Sequence, residues 1–165
     1  MFERVLVPVD GSELCESAIA QVPRLSGAGT EVVLVEVIDS AARILAQTTP
    51  AGFAWNDAGI SVDIVSDVIA AQRAAADEHL AAARARLEAA GLTRIEARTL
   101  EGIPGPAIVE LAQEIGADVV VMATHGRSGL RRTVLGSVAD HVVRHLHGIP
   151  VLLIHPDAEE LEAAV

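Results

Sequence analysis

Four short valine-rich runs constrain the fold more than any other feature of the sequence. Each is apolar almost without interruption, whereas a strand exposed on one face would alternate apolar and polar residues. Such runs are typical of strands buried on both faces, as in parallel sheets covered by helices. They are RVLVPV (4–9), EVVLVEV (31–37), ADVVVMA (117–123) and PVLLIH (150–155). A fifth run, RIEARTL (94–100), alternates, which predicts a strand near an edge of the sheet.

Helical patterns separate the predicted strands. They run from Leu14 to Leu25, from Ile69 to Leu87, from Ile108 to Ile115 and from Val138 to Leu146. Gly91 and Gly116 are stop signals for the second and third helices, and Ser137 is predicted to cap the start of the fourth. The alternation of strands and helices predicts a doubly wound α/β fold, with helices on both faces of a five-stranded parallel sheet and right-handed crossovers.

The domain is predicted to be single and to span residues 1–156. Residues 39–62 do not fit the alternation and are interpreted as a variable surface loop, with a flap over a ligand as the alternative. Residues 157–165 form an acidic C-terminal tail.

The composition argues against nucleic-acid and membrane partners. A net charge of −11 opposes binding to duplex phosphates, and three aromatic residues are too few for stacking on single strands. No apolar run is long enough to span a bilayer, and no secretory leader precedes the first strand. Cys15 is the only cysteine, so no intramolecular disulfide can form. We therefore expect a soluble, cytoplasmic protein.

The segment ATHGRSGLRRTVLGS (123–137) contains no acid, although the chain has 23 acidic against 12 basic residues. It follows a buried strand and leads into a helix, at the carboxyl edge where open α/β sheets bind ligands. The helix start offers N–H groups and partial positive charge, and Gly126, Gly129 and Gly136 permit close approach. Three arginines raise the local positive potential: Arg127, Arg131 and Arg132. The segment therefore predicts a polyphosphate site.

This segment is neither a P-loop, because the chain has no lysine, nor a GxGxxG dinucleotide motif. It resembles the signature of the universal stress protein family: glycine, two residues, glycine, nine residues, glycine, then Ser or Thr. A-TH-G-RSGLRRTVL-G-S meets that spacing, with Ala123 in place of the first glycine. The segments VLVPVDGS, ADVVVMATHGRSGL and GIPVLLIHP extend the resemblance over residues 2–156.

The resemblance implies a Rossmann-like domain similar to the adenine nucleotide alpha hydrolases, with strand order 3-2-1-4-5 and a bound adenine nucleotide. By position, Pro8, Val9 and Asp10 would border the nucleotide, Val37 would hold adenine through its backbone, and Met122 and Ala123 would line the ribose side. Gly126, Arg127 and Gly129 would follow the phosphates, Gly136, Ser137 and Val138 would cap them, and His125 lies in the same loop.

Several of these residues have a second interpretation. Asp10 could hold Mg²⁺ on the phosphates, or could only shape the turn and cap the first helix. His125 could contact phosphate, or be only a loop residue. The three histidines His141, His145 and His147 include an i, i+4 pair, but no third metal ligand is evident.

No catalytic residue is assigned, because the sequence offers no nucleophile with a base, no carboxylate pair and no base for an attacking water. We expect an ATP-binding universal stress protein that acts as a nucleotide-dependent regulatory module of the stress response and is at most a slow ATPase. The alternative is a protein-interaction module of the same fold that binds no nucleotide. The resemblance also implies a homodimer through the strand at 150–155, a predicted exposed edge.

Overall fold

The computed structural model describes residues 2–27, 29–48, 62–124 and 135–155. Within these ranges the strands are β1 (Arg4–Pro8), β2 (Glu31–Ile38), β3 (Ile95–Glu101), β4 (Val119–Ala123) and β5 (Val151–Ile154). The helices are α1 (Glu13–Leu25), α2 (Ala41–Thr48), α3 (Val62–Ala89), α4 (Pro104–Glu114) and α5 (Ser137–His145). The strands form one parallel sheet in the order β3-β2-β1-β4-β5. The predicted fold and strand order are confirmed.

Both faces of the central strands are buried, which explains their unbroken apolar sequences. On one face Val7, Leu34 and Val121 pack against α1 and α3. On the other face Leu6 and Val120 pack against α4 and α5. Each central strand therefore contributes alternate residues to two separate apolar clusters, as expected for a doubly wound sheet.

Strand β3 lies at an edge of the sheet, as the sequence predicts, although the burial of its residues does not alternate. It pairs with β2 on one side, and Ile95 at its start is its one buried residue. At the opposite edge, all four residues of β5 are partly exposed. The structure describes pairing of β5 with β4 alone.

Two helices end at the predicted glycines. Gly91 has a φ of 93° after α3, and the amide of Leu92 donates to the carbonyl of Leu87 at 3.0 Å. After α4, Gly116 has a φ of 60°, and the amide of Ala117 donates to the carbonyl of Ala112 at 2.9 Å. Both are the helix-terminating arrangement in which a left-handed glycine lets the chain turn back on the last carbonyls.

Two local predictions are wrong. Residues 41–48, within the segment predicted to be a loop, form α2, because the carbonyl of Ser40 accepts from the amides of Arg43 and Ile44, and the side chain of Ile44 is buried. Ser137 is the first residue of α5 rather than its cap, a position that Gly136 takes. Residues 49–61 and the predicted tail lie outside the described residues. Among the described helices, none combines the length and apolar character that would span a bilayer.

Candidate functional site

A cavity of about 260 Å³ opens at the carboxyl ends of β1, β2 and β4. This is where the strand order reverses, since β1 continues to β2 on one side and has β4 on the other. The N-terminal ends of α4 and α5 close the cavity from one face. Its size lies just below the range of roughly 300–1,000 Å³ that is usual for small-molecule sites.

Nine of the residues predicted to bind a nucleotide line this cavity. They are Pro8, Val9, Asp10, Val37, Met122, Ala123, Gly136, Ser137 and Val138. The other four predicted residues, His125, Gly126, Arg127 and Gly129, lie outside the described residues, as do Arg131 and Arg132. The fold thus brings residues from four distant parts of the chain to one place.

Asp10 shapes the turn that joins β1 to α1. Its Oδ1 accepts hydrogen bonds from the backbone amide of Ser12 at 3.0 Å and from the Ser12 hydroxyl at 2.6 Å. The Ser12 oxygen then caps α1 by accepting from the amide of Cys15 at 3.2 Å. Asp10 therefore has the turn-forming role, while its exposed carboxylate still faces the cavity.

The start of α5 has the features of an anion site. Its cap residue, Gly136, has no side chain, and among the described residues no side chain caps the first turn by a hydrogen bond. Gly136 and the first residues of the helix line the cavity. The N–H groups of an uncapped first turn carry partial positive charge, so this end of the cavity favours a negatively charged group.

A hydrogen-bonded pair supports the opposite wall. Glu36 lies in β2, is only 9% exposed and lines the cavity. Both of its carboxylate oxygens lie close to Nδ1 of His79 in α3, at 3.0 and 3.1 Å. The imidazole of His79 in turn packs against Gly11, which has a φ of 69°. The pair therefore joins β2, α3 and the turn that carries Asp10.

The thiol of Cys15 also lines the cavity and is neutral. Burial raises the pKa of Cys15 from its ordinary 9.0 to about 12, and the thiol donates a weak hydrogen bond to the carbonyl of Pro8 at 3.5 Å. Since the thiolate is the reactive form, this cysteine has a packing role rather than a nucleophilic one.

The described wall of the cavity is acidic. Asp10 and Glu36 are its charged residues, and among the described lining residues no arginine is present. An anionic ligand must therefore receive its positive charge from the start of α5, from a metal ion or from the part of the chain that carries Arg127, Arg131 and Arg132.

The histidines near the end of α5 interact with the helix itself. The rings of His141 and His145 stack with their centroids 4.0 Å apart. Nδ1 of His145 bonds the carbonyl of His141, and Nδ1 of His147 bonds that of His145, both at 2.8 Å. Within the described part of the chain, no group of three metal-binding side chains is found.

Sequence reasoning missed several residues of the cavity, notably Ser12, Cys15, Glu36 and Thr124. A signal for Glu36 was present, because it is the one acid inside the apolar run VVLVEVI. Thr124 was also visible, directly after the strand that ends at Ala123. Its position on a buried face follows from the two-residue period of a strand.

The fold and the cavity define a doubly wound α/β protein with a small-molecule site at its topological switch point. The model of the universal stress protein family matches residues 54–155, and the chain belongs to that family. It is 29% identical over 161 residues to universal stress protein MJ0531 of Methanocaldococcus jannaschii, covering 97% of this chain and 86% of that protein.

Solved structures agree with this assignment. The structure of protein MJ0577, a universal stress protein of the same organism, aligns with a TM-score of 0.73 at 25% identity, over 95% of this chain and 98% of that one. A universal stress protein in complex with cAMP aligns with a TM-score of 0.65 at 25% identity, over 94% of this chain and 99% of that one.

Proposed function

We propose that this protein binds an adenine nucleotide, ATP in particular, in the cavity at the switch point, and acts as a nucleotide-dependent regulatory module of the stress response. The observation that carries the proposal is that three strand ends meet the start of α5, which no described side chain caps, in one cavity. The complex of a related universal stress protein with cAMP supports an adenine nucleotide as the ligand class. The choice of ATP among the adenine nucleotides rests on the sequence signature.

Gly136 supports a phosphate at the start of α5. Its φ of −57° and ψ of 149° are open to any residue, so the backbone does not require glycine. A turn or cap role alone would equally suit Ser, Asn or Asp, which are good N-cap residues. What glycine alone provides is free space in front of the N–H groups. On the proposal, a phosphate occupies that space.

Ala123 replaces the first glycine of the family signature, and its side chain is part of the apolar packing. It packs against the apolar cluster under α1 and α3, while the residue also lines the cavity. The backbone of β4 at this position pairs with Ile154 of β5. We expect nucleotide binding to survive this substitution.

A magnesium ion would complete the site through the phosphates rather than through a protein cage. Mg²⁺ in nucleotide sites uses one or two carboxylates, the phosphates and several waters. Asp10 fits that requirement, because it lines the cavity and its Oδ2 has no hydrogen bond among the described residues. The ion would neutralise phosphate charge beside the two acids of the wall.

The test compares two valine substitutions in titrations with ATP and Mg²⁺ by calorimetry. Gly136→Val fills the space in front of the α5 amides without a forbidden φ. Gly29→Val is the matched control, because a side chain at Gly29 meets nothing within 4 Å and the residue lies far from the cavity lining. We expect the wild type and Gly29→Val to bind ATP, and Gly136→Val to lose binding while remaining folded, with a melting temperature lower by the few degrees that a poorer cap residue costs.

Heating the purified wild-type protein and separating the released small molecules gives an independent readout. Adenine nucleotide in the supernatant would support the proposal. If no nucleotide is released and none binds on titration, the proposed function is wrong and the protein-interaction module becomes the better reading of the fold.

The exposed edge of the sheet supports a homodimer. The four residues of β5 are partly exposed and apolar, and exposed apolar edges are usually covered. We propose that β5 of a second copy covers it. Light scattering at micromolar concentration should give twice the mass of the chain, and a monomer mass would reject the dimer.

A further inference from the structure

Thr124 has a hydroxyl group with no partner in the described structure. The residue follows β4 directly and is 2% exposed. Its amide donates to the carbonyl of Ile154 at 2.9 Å, but among the described residues its Oγ1 has no hydrogen-bond partner, and the atom is sealed from solvent. The other buried side-chain atom of this kind, Nε of Arg43, lies 2.6 Å from a carboxylate oxygen of Asp39. Of these two buried atoms, Thr124 Oγ1 is therefore the one without a polar partner among the described residues.

The position of Thr124 relates its hydroxyl to the start of α5. In β4, Val119 and Val121 pack on the face of α1 and α3, whereas Val120 and Met122 pack on the face of α4 and α5. The strand period places Thr124 in the second set, two residues beyond Met122. Thr124 and the first turn of α5 line the same cavity.

Folding alone does not account for threonine at this position. A buried hydroxyl without a partner loses its hydrogen bonds to water and gains none in return. Valine has nearly the same shape and would fill the same space without that loss. Buried polar groups are otherwise almost always hydrogen-bonded, so an exception among the described residues calls for a partner outside them.

We propose that the Thr124 hydroxyl is a ligand contact of the cavity, which donates a hydrogen bond to the phosphate held at the start of α5. The inference rests on the proposed function and adds a named phosphate contact to it. A phosphate oxygen accepts hydrogen bonds only, so the hydroxyl acts as the donor. For this contact Oγ1 must turn from its sealed position towards the cavity, which requires a rotation about the Cα–Cβ bond.

The test uses Thr124→Val, which removes the hydroxyl and keeps the shape, and Thr124→Ser, which keeps the hydroxyl. Two quantities are measured for each variant and for the wild type: the melting temperature without nucleotide, and the affinities for ATP, AMP and adenosine. We expect Thr124→Val to melt no lower than the wild type and yet to bind ATP and AMP about 10-fold more weakly or worse. Affinity for adenosine should be unchanged, and Thr124→Ser should bind like the wild type.

A ligand contact and a structural role of the hydroxyl predict different results for Thr124→Val. Loss of a ligand contact lowers the ATP affinity without lowering the melting temperature, whereas loss of a structural hydrogen bond lowers the melting temperature. A lower melting temperature for Thr124→Val would mean that the hydroxyl has a partner inside the folded protein, and would overturn the inference. Equal ATP affinity for Thr124→Val and the wild type would overturn it too, while leaving the proposed function intact. A loss of adenosine affinity would place the contact on the nucleoside and refute the phosphate assignment. A wild type that binds no nucleotide would refute both proposals.

Discussion

Substitution of Gly11 by alanine tests how the turn after β1 depends on His79. Gly11 has a φ of 69°, and a Cβ placed on it would overlap the imidazole of His79. That ring cannot move freely, because its Nδ1 is bonded to the buried carboxylate of Glu36 at 3.0 and 3.1 Å. Gly11→Ala must therefore both adopt a left-handed backbone and displace the ring from Glu36.

The two costs can be separated by their physical origin. A left-handed conformation costs an alanine about 1–2 kcal/mol. A hydrogen bond to a charged group contributes about 1.5–3 kcal/mol, and we take the lower part of that range because the His79 side chain is 35% exposed. Gly11→Ala should therefore lower the free energy of unfolding by about 3 kcal/mol. In a His79→Ala background only the backbone part should remain, which leaves a coupling of about 1.5 kcal/mol.

Urea unfolding of the wild type, both single variants and the double variant, followed by circular dichroism, measures this coupling. Gly29→Ala is the control for an added methyl group, since that position is open and has no positive φ. If the two single costs simply add, to within about 0.5 kcal/mol, the ring is not held between Gly11 and Glu36 and the reasoning is refuted.

Three further predictions concern stability. Burial raises the pKa of Cys15 from 9.0 to about 12. Because the thiol ionises at a lower pH in the unfolded chain than in the folded one, the folded state loses stability between pH 9 and 12. The urea midpoint of Cys15→Ala should therefore fall less steeply over that range than the midpoint of the wild type. The hydrogen bond from Arg4 lowers the pKa of Glu31 from 4.5, so its contribution is present above that pH and is lost as the pH falls further. Glu31→Gln should therefore lower the midpoint more at pH 7 than at pH 3, and equal losses would contradict this. Gly116→Ala, at a φ of 60° with open space around it, should cost about 1–2 kcal/mol in the same assay, and a neutral result would contradict the left-handed cost.

The strands of the sheet could be predicted because the pattern that indicates them, an apolar run, lies within a few consecutive residues. A strand buried on both faces is apolar at nearly every position, and the runs at β1, β2 and β4 are apolar apart from Arg4 and Glu31 at their starts and Glu36 within β2. The short helix α2 was missed because its eight residues make little more than two turns and carry one buried apolar side chain among those described, Ile44. A pattern of that length does not distinguish a helix from a loop.

Some residues of the site could likewise be predicted from the nearby sequence, whereas others depend on contacts between distant parts of the chain. Gly136 and Asp10 could be placed from spacing and turn chemistry, because each acts within a few residues of its own backbone. The pair of Glu36 and His79 could not, because the partners are 43 residues apart and meet only when α3 packs on β2. The acid in an apolar run shows that a partner must exist, but not which residue it is.

The described wall of the cavity is acidic, and this gives a physical reason for the absence of acids from the segment at 123–137. Asp10 and Glu36 would repel a polyphosphate, and the start of α5 supplies only about half a unit charge in compensation. The chain from 125 to 134 contains three arginines and no acid, and an acid there would add to the repulsion. A nucleotide with several phosphates can therefore bind only where its charge is met by Mg²⁺ or by those arginines, whereas adenosine needs neither. If the proposed function holds, we expect the affinity for ATP to depend on Mg²⁺ and on salt, and the affinity for adenosine to depend on neither.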